Sequence, residues 1–450
     1  MAREHWGTKV GFILAAVGSA VGLGNIWRFP YITGEYGGGS FLLVYLLCIA
    51  LIGLPVIIAE FSIGKRGQLD AVGSYRKTAP SKPWVIGGWL AVATSFLIVS
   101  FYAVITGWVL HFMFGYLTGS IQQVETGGAP DYFTGVIGST WLPIFWLIVV
   151  MAIIMGILYF GVKRGIEFSS KIFMPLLAVI LIILAGYSVT LDGAMEGMRF
   201  LFVPDWSALS DPRLYLAAIG QSFFTLSLGM GIMITYGGYL SKQTGSDLPK
   251  TARNVVILDT LFAIIVAVAI FGIVYAIGAE PDSGPGLVFM VLPEIFNQMA
   301  GAGTLFAIAF FFLVFIAALT SAISLAEVSI SAAIERFKIS RQKAVLIMGG
   351  LITLFGIPSA LSQGGPLSGF EIFGLPFLDF VDTVTDSYFL PIGGLIVVLL
   401  VGWGWTKRNA LDEADFRSPF FAKLYLILLR FVAPIMIIGI LLLNIFGVGY

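Results

Sequence analysis

Charged residues are scarce in this chain of 450 residues: Asp, Glu, Lys and Arg make up only 11%, whereas hydrophobic residues make up 58%. A soluble protein of ordinary composition carries about 25% charged residues. Positive and negative charges are equal in number, so no excess charge indicates a nucleic-acid partner. The composition therefore predicts an integral membrane protein, with the lipid bilayer as its main partner.

Cysteine and histidine are also nearly absent. Cys48 is the single cysteine, which excludes a disulfide within the chain and a site built from several thiolates. His5 and His111 lie far apart in sequence and offer few ligands for a metalloenzyme. Because no nucleophile–base arrangement is evident either, we expect a protein that is not an enzyme. A membrane enzyme stays open as an alternative, which turnover of a candidate substrate would support.

Long apolar runs dominate the sequence. A membrane-spanning helix needs about 20 predominantly apolar residues. We count eleven such segments and number them spans 1 to 11: 9–31, 38–63, 84–118, 141–160, 168–190, 213–241, 252–279, 302–335, 342–360, 370–404 and 421–446. The first is expected to be a retained span rather than a cleaved signal peptide. The apolar stretch 284–299 is too short to span and is expected to form one peripheral helix.

Lysine and arginine are distributed asymmetrically between the loops. If the N-terminus is cytoplasmic, the predicted outer loops keep only Arg199 and Arg213 of these residues. Cytoplasmic loops of membrane proteins carry an excess of Lys and Arg. The pattern predicts a cytoplasmic N-terminus and, after eleven spans, an extracellular C-terminus.

Glycine clusters interrupt two spans at mid-membrane depth, at 18–25 in span 1 and at 227–231 in span 6. Glycine weakens a helix interior by about 1 kcal/mol relative to alanine, and unwound backbone in a membrane must line a cavity or be buried in protein. The breaks lie five spans apart, which predicts two inverted five-helix repeats, 9–190 and 213–404, with a site between them. Glycines that merely permit close helix packing are the alternative.

Five segments carry a longer signature: GSAVGLGNIWRFPY at 18–31, GGGSF at 37–41, QSFFTLSLG at 221–229, GPGLVF at 284–289 and AALTS at 317–321. This signature resembles the neurotransmitter:sodium symporter family, in its bacterial amino-acid-transporting branch. The resemblance covers essentially the whole chain and implies a single transporter domain, 1–450, in a bacterial cytoplasmic membrane. It implies sodium-coupled symport by alternating access, with no obligate protein partner. Many members have twelve spans, whereas we expect eleven here.

Two sodium sites follow from the resemblance. One is expected to use backbone carbonyls and hydroxyls of Gly18, Val21, Ala317, Thr320 and Ser321. Thr320 and Ser321 could instead bond only their own helix. The other is expected to use the substrate carboxylate with Ala20, Asn25, Thr225 and Asp259.

Asp259 departs from the family pattern, which usually has Asn at this position. An ionisable residue inside a span is costly and usually functional. Chloride-dependent relatives place a serine where this chain has Ala263, whereas Tyr45, Gln221 and Thr225 match other parts of their chloride site. We expect the Asp259 carboxylate to replace the anion, so that no chloride is required. Whether Asp259 takes up a proton on the return step is left open.

By the same resemblance, the residue at the position of Gly22 indicates the substrate class, because monoamine carriers have an aspartate there. The substrate is then expected to bring its own carboxylate, as an α-amino acid does. The polar groups expected to contact it are those of Ala20, Leu23, Gly24, Tyr102, Phe224, Thr225 and Ser227. The side-chain pocket is expected to comprise Ile98, Ile105, Phe224, Met230, Ser321 and Leu325, which favours hydrophobic L-amino acids, aromatic and branched aliphatic. Plain core packing is the alternative for these apolar residues and for Tyr102.

Alternating access also requires gates. Arg28 is expected to pair with Asp382, or failing that with Asp386, on one face, and Tyr102 and Phe224 are expected to close over the ligand. Arg3 and Trp6 are expected near Tyr239 and Glu335 on the other face, although Arg3 could be a simple positive-inside anchor.

Two further residue roles are expected around the broken helices. Glu60 is expected to bond the unwound backbone of span 1. Gly165 and Pro175 are expected to form a hinge that unwinds, with a static proline kink as the alternative. A sodium symporter for another small amine or osmolyte, and a channel, remain rival functions.

Overall fold

The computed structural model describes residues 4–121, 128–241, 247–276, 278, 284–298 and 303–446. Nearly all of this part of the chain is helical, and its strands form one short antiparallel hairpin, Glu371–Ile372 with Leu375–Pro376. The prediction of an all-α membrane protein is confirmed.

Nine helices in the described ranges are long and apolar enough to cross a membrane. They correspond to predicted spans 2 to 5 and 7 to 11: Gly39–Gly67, Lys82–Thr118, Leu142–Tyr159, Val162–Ser188, Leu248–Ala276, Gly303–Phe337, Arg341–Ser362, Phe377–Gly404 and Pro419–Ile445.

Span 1 is broken where its glycines predicted. It consists of Lys9–Ala20 and Gly24–Glu35, which are bent by 48° and count as a tenth span if taken together. Thr8 begins the first helix, since its Oγ1 accepts a hydrogen bond from the Gly11 N–H at 2.9 Å.

Span 6 is broken as well, into Pro212–Thr225 and Ile232–Gly238. In the segment between them Ser227, Gly229 and Gly231 have φ of 53°, 78° and 77°, left-handed conformations that end a helix. Each piece of span 6 is shorter than a membrane-crossing helix, so the count of eleven spans stays a prediction.

Shorter helices connect the spans: Ala71–Thr78, Ala129–Gly138, Ala194–Phe202, Val291–Gln298 and Lys407–Ala414. The predicted peripheral helix corresponds to Gly284–Leu287 and Val291–Gln298, with Met299 outside the described residues. Phe289, between these two turns, stacks on Phe133 at 5.0 Å between ring centroids. This contact joins the peripheral helix to the helix Ala129–Gly138.

Span 2 packs directly on the second half of span 6. A Cβ at Gly64 would lie 2.0 Å from the Ile234 carbonyl oxygen, and a Cβ at Gly237 would lie 2.8 Å from the Phe61 carbonyl oxygen. Small residues allow such close approach between membrane helices. The two backbones therefore touch with no layer of side chains between them.

Candidate functional site

The two broken helices are joined at their breaks by hydrogen bonds. Ser227 Oγ donates to the Ser19 carbonyl at 2.9 Å, and Gln221 Nε2 donates to the Gly24 carbonyl at 2.7 Å. These side chains bond carbonyls beside the break, where regular helical bonding is interrupted. The unwound segments of spans 1 and 6 therefore form one polar centre inside the protein.

Glu60 of span 2 bonds the break of span 6. Its Oε1 accepts from the Gly229 N–H at 2.7 Å. The expectation that Glu60 bonds the backbone of span 1 is therefore wrong. The physical reason is the glycine contact described above, which brings span 2 against span 6.

A small cavity lies between the breaks. Its walls are Ser19, Ala20, Gly22, Gly24, Ile98, Tyr102, Phe224, Ser227, Met230, Ser321 and Leu325. Most residues expected to bind substrate are thus brought together, and among the described residues no charged side chain lines the cavity. The cavity measures about 20 Å³, space for about one water molecule, so a larger ligand requires side chains to move.

Three expected substrate residues lie around this cavity rather than in its wall. The Leu23 N–H donates to Tyr102 Oη at 2.9 Å, at the edge of the cavity. Thr225 Oγ1 instead donates hydrogen bonds to the carboxylate of Asp259. Ile105 lies in the wall of a larger vestibule.

Asn25, Thr225 and Asp259 form a buried cluster beside the breaks. Asn25 Nδ2 donates to Asp259 Oδ1 at 2.8 Å, and Thr225 Oγ1 donates to the two carboxylate oxygens at 3.2 and 3.1 Å. All three side chains have no exposed surface. Carboxylate, amide and hydroxyl oxygens are the donors that a hard cation prefers. With Ala20 in the cavity wall, the structure gathers the residues of one expected sodium site.

The residues of the other expected sodium site also converge. Ser321 Oγ donates across to the carbonyls of Ser19 at 3.0 Å and Gly18 at 3.4 Å. Thr320 Oγ1 donates to Ala317 in its own helix at 3.0 Å. In this conformation Thr320 therefore bonds within its own helix, as the alternative interpretation expected. Ser321 instead connects span 8 to span 1.

Val21, the remaining expected ligand, caps the first helix of span 1 at the break.

A vestibule of about 600 Å³ opens on the face of the protein that carries Arg28, which we call the Arg28 face. Its walls include Leu23, Trp27, Tyr31, Tyr102, Ile105, Phe224, Phe289, Asp382 and Asp386. Arg28 lies over the Phe224 ring, with Cζ 5.1 Å from the ring centroid. Phe224 and Tyr102 line both the vestibule and the small cavity, and so separate the two.

Arg28 forms a two-pronged ion pair with Asp386. Nη1 and Nη2 donate to Oδ1 and Oδ2 at 2.8 and 2.6 Å. The expected first choice, Asp382, is therefore corrected to the alternative, Asp386. Both acids line the vestibule, because residues four positions apart lie on the same face of a helix, and Arg28 meets the one that is a turn further along span 10.

The opposite face, which we call the Trp6 face, is closed. Trp6 Nε1 donates to the Tyr236 carbonyl at 2.9 Å, and the Trp6 N–H donates to the Tyr239 carbonyl at 3.2 Å. The expected neighbours Trp6 and Tyr239 are thus brought together, whereas Arg3 lies outside the described residues. Glu335 accepts from the Asp70 N–H at 2.9 Å, on the N-terminal side of the helix Ala71–Thr78.

The Trp6 face also carries an ion-pair network that was not predicted from the sequence. Arg341 pairs with Glu327 through Nη1 and Nη2 at 2.9 and 2.8 Å and with Glu4 through Nε at 2.8 Å. Tyr239 Oη donates to Glu327 at 2.6 Å. The available signal was Glu327 itself, an ionisable residue deep in an apolar span, which is a reason to expect a function.

The expected hinge is helical in this structure. Gly165 lies in a π-helical turn, Val162–Glu167, at the start of span 5, and Pro175 lies inside the helix Phe168–Ser188. Glu167 Oε2 accepts from the Gly7 N–H at 2.7 Å and ties this turn to the N-terminal segment. Unwinding of this stretch stays a prediction.

The comparison that identifies the protein is with sequence families. A model described as the sodium:neurotransmitter symporter family matches residues 3–126 and 137–449. The chain belongs to this family. It is therefore a sodium-dependent membrane transporter, not an enzyme, and the family resemblance is confirmed.

Individual relatives are similar to this chain over most or nearly all of its length. A crystal structure of MhsT in complex with L-phenylalanine superposes with a TM-score of 0.91 at 53% identity, covering 98% of this chain and 99% of that one. An uncharacterised sodium-dependent transporter of Bacillus subtilis is 38% identical over 448 residues, 99% of this chain and 98% of the relative. One of Methanocaldococcus jannaschii is 36% identical over 427 residues, 90% and 82% of the two chains.

Proposed function

We propose that this symporter imports hydrophobic L-amino acids, both aromatic and branched aliphatic, into the cell. The observation that carries the proposal is the cavity between the breaks, which joins polar backbone to an apolar wall. None of the described residues that line this cavity is charged. A zwitterionic head and a hydrophobic side chain fit such a surface. The L-phenylalanine bound by the similar MhsT supports the same substrate class.

The α-carboxylate of the substrate would lie near Gly22. A Cβ at Gly22 would come within 2.4 Å of Ser321 Oγ and 2.7 Å of Tyr102 Oη, so an acidic side chain has no room here. The substrate carboxylate would then accept from Tyr102 and the amides of Leu23 and Gly24, and complete the shell of one sodium ion. This favours an amino acid over a monoamine, which would need an anion from the protein.

The ammonium group and side chain would occupy the two remaining parts of the site. Carbonyls of Ala20, Phe224, Thr225 and Ser227 would accept from the ammonium. The side chain would lie among Ile98, Phe224, Met230 and Leu325, four of the residues that line the cavity. An apolar pocket discriminates among hydrophobic groups by only about 1–3 kcal/mol per methylene. A broad substrate range follows.

Sodium would couple at two sites. One is the Asn25–Thr225–Asp259 cluster with Ala20 and the substrate carboxylate, and the other lies among Gly18, Val21, Ala317, Thr320 and Ser321. The Asp259 carboxylate would supply the negative charge that chloride supplies in other members, because Ala263 has no side-chain oxygen. Transport would then proceed in chloride-free medium.

Transport would proceed by alternating access between the two faces. The Arg28 face would be extracellular and the Trp6 face cytoplasmic. Arg28, Asp386, Tyr102 and Phe224 would gate the first face, and the network around Glu327 and Arg341 would gate the second. Melting of the stretch between Gly165 and Pro175 would let water reach the second sodium site from the Trp6 face.

The test is binding of radiolabelled leucine and tryptophan to purified protein in sodium and then in potassium. We expect both ligands to bind in sodium only, with affinities within about 100-fold of each other. Failure of both to bind in sodium would reject the substrate class. If betaine or tryptamine, but not leucine, displaced the radiolabelled tryptophan, the osmolyte or amine alternative would be favoured. Single-channel currents would favour a channel.

A further inference from the structure

Span 11 contacts span 10 through two side chains that bond backbone carbonyls. Asn444 Nδ2 donates to the Ser387 carbonyl at 2.9 Å, and Arg430 Nε donates to the Gly402 carbonyl at 2.6 Å. Both acceptors lie in π-helical turns of span 10, Thr385–Phe389 and Leu400–Gly404. Span 11 therefore braces span 10 at the two places where its helical geometry departs from the α-helix.

The Ser387 carbonyl has a particular need for such a donor. Its α-helical partner would be the N–H of the residue four positions later, which is Pro391. Proline has no N–H to give. The Ser387 carbonyl therefore lacks the backbone donor that a regular α-helix would give it. The Asn444 amide meets this need.

The same turn carries Asp386, the residue immediately before Ser387. Its carboxylate binds both Nη atoms of Arg28, with side-chain exposures of 13% for Arg28 and 9% for Asp386. Such two-pronged pairs depend on the orientation of both planar groups. A change in the turn at Ser387 would therefore misalign the ion pair.

We propose that Asn444 is a positioning residue for the gate on the Arg28 face: it fixes the Thr385–Phe389 turn and so aligns Asp386 with Arg28. The inference rests on the proposed gating role of that ion pair. It gives span 11, which lies outside the two predicted repeats, a part in retaining substrate. Arg430 makes the matching contact at the other turn and has no such role.

The structural half of the proposal is tested by hydrogen–deuterium exchange of the purified protein in sodium, which needs no substrate. Asn444→Leu should speed exchange in the peptide containing 385–389 and leave 400–404 unchanged. Arg430→Met should do the reverse. Unchanged exchange at 385–389 in both Asn444→Leu and Asn444→Ala would overturn the proposal.

The gating half is tested by the rate at which bound radiolabelled leucine leaves the protein in sodium. Asn444→Leu and Asp386→Asn should each speed release, by roughly threefold to tenfold for loss of the Asn444 hydrogen bond. The double variant should release no faster than Asp386→Asn alone, and Arg430→Met should match the parent. Additive effects, or no effect of Asn444→Leu on release, would overturn the proposal. Absence of leucine binding by the parent would instead reject the proposed substrate, and the exchange experiment would still decide whether Asn444 holds the turn.

Discussion

Asn25 donates its side-chain amide to the carboxylate of Asp259 at 2.8 Å, so the break of span 1 is bonded directly to span 7. Asn25 Oδ1 in turn accepts from the Gly22 N–H at 3.2 Å. The acid is thus connected through one side chain to the backbone proposed to bind substrate. Changes at Asp259 should therefore alter sodium binding and amino-acid binding together.

Asp259→Asn should raise the sodium concentration needed for half-maximal leucine binding by about tenfold, because a neutral amide attracts the cation less strongly than a carboxylate. The loss should be smaller in chloride than in gluconate, since an anion could replace the missing charge. Titration of leucine binding with sodium in each salt measures this. Asp412→Asn, a surface acid paired with Arg408, is the control and should behave as the parent. Parent-like sodium titrations in both salts would contradict the assignment.

Gly22→Ala should abolish or weaken leucine binding at least tenfold. The added methyl group would meet Ser321 Oγ at 2.4 Å and Tyr102 Oη at 2.7 Å, both in the cavity wall. Equilibrium binding in saturating sodium is the measurement. Gly186→Ala is the matched control, because a Cβ there meets no atom of the described residues within 4 Å. If Gly22→Ala binds leucine as tightly as Gly186→Ala does, the substrate carboxylate lies elsewhere.

Pro175→Ala should slow sodium-driven leucine uptake into proteoliposomes severalfold while leaving equilibrium binding unchanged. Alanine restores a helical N–H and removes a ring that costs a helix about 3 kcal/mol, so the stretch from Gly165 would resist unwinding. Pro358→Ala is the comparison, since Pro358 also lies inside a helix, Arg341–Ser362. Equal uptake by the two variants would show that Pro175 is a static kink.

Arg341→Gln should open the Trp6 face. Glu327 has no exposed surface, and removal of one partner of a buried ion pair costs about 3–5 kcal/mol. We expect a lower melting temperature and leucine affinity reduced about tenfold, because the conformation closed at Trp6 is less populated. Arg408→Gln removes an exposed pair and should change neither quantity. Unaltered affinity in Arg341→Gln would exclude this network from gating.

Local composition was enough to predict both broken helices. Glycine clusters in spans 1 and 6 mark positions where the helix is weakest, and the structure breaks there. The same clusters predicted the cavity, because unwound backbone in a membrane must be enclosed.

Contacts that depend on how helices pack could not be predicted in the same way. Asp382 and Asp386 lie on the same face of span 10, and the choice between them depends on the depth at which Arg28 meets that span. The partner of Glu60 depends on which helix its neighbours Phe61 and Gly64 contact. Glu327 and Arg341 are only 14 residues apart, on consecutive helices, but Glu4 lies far from both in the sequence. Only the folded arrangement brings Glu4 to Arg341 and completes the network.

The bare glycine contact between span 2 and the second half of span 6 has a mechanical consequence. Side chains at ordinary helix interfaces can change rotamer and let the helices slide, but Gly64 and Gly237 have none to reorient. Glu60 accepts a further hydrogen bond from the Gly229 N–H, in the break that precedes the same half-helix. Span 2 and the second half of span 6 therefore form one rigid unit. We expect any rotation of the half-helix that opens the Trp6 face to move span 2 with it.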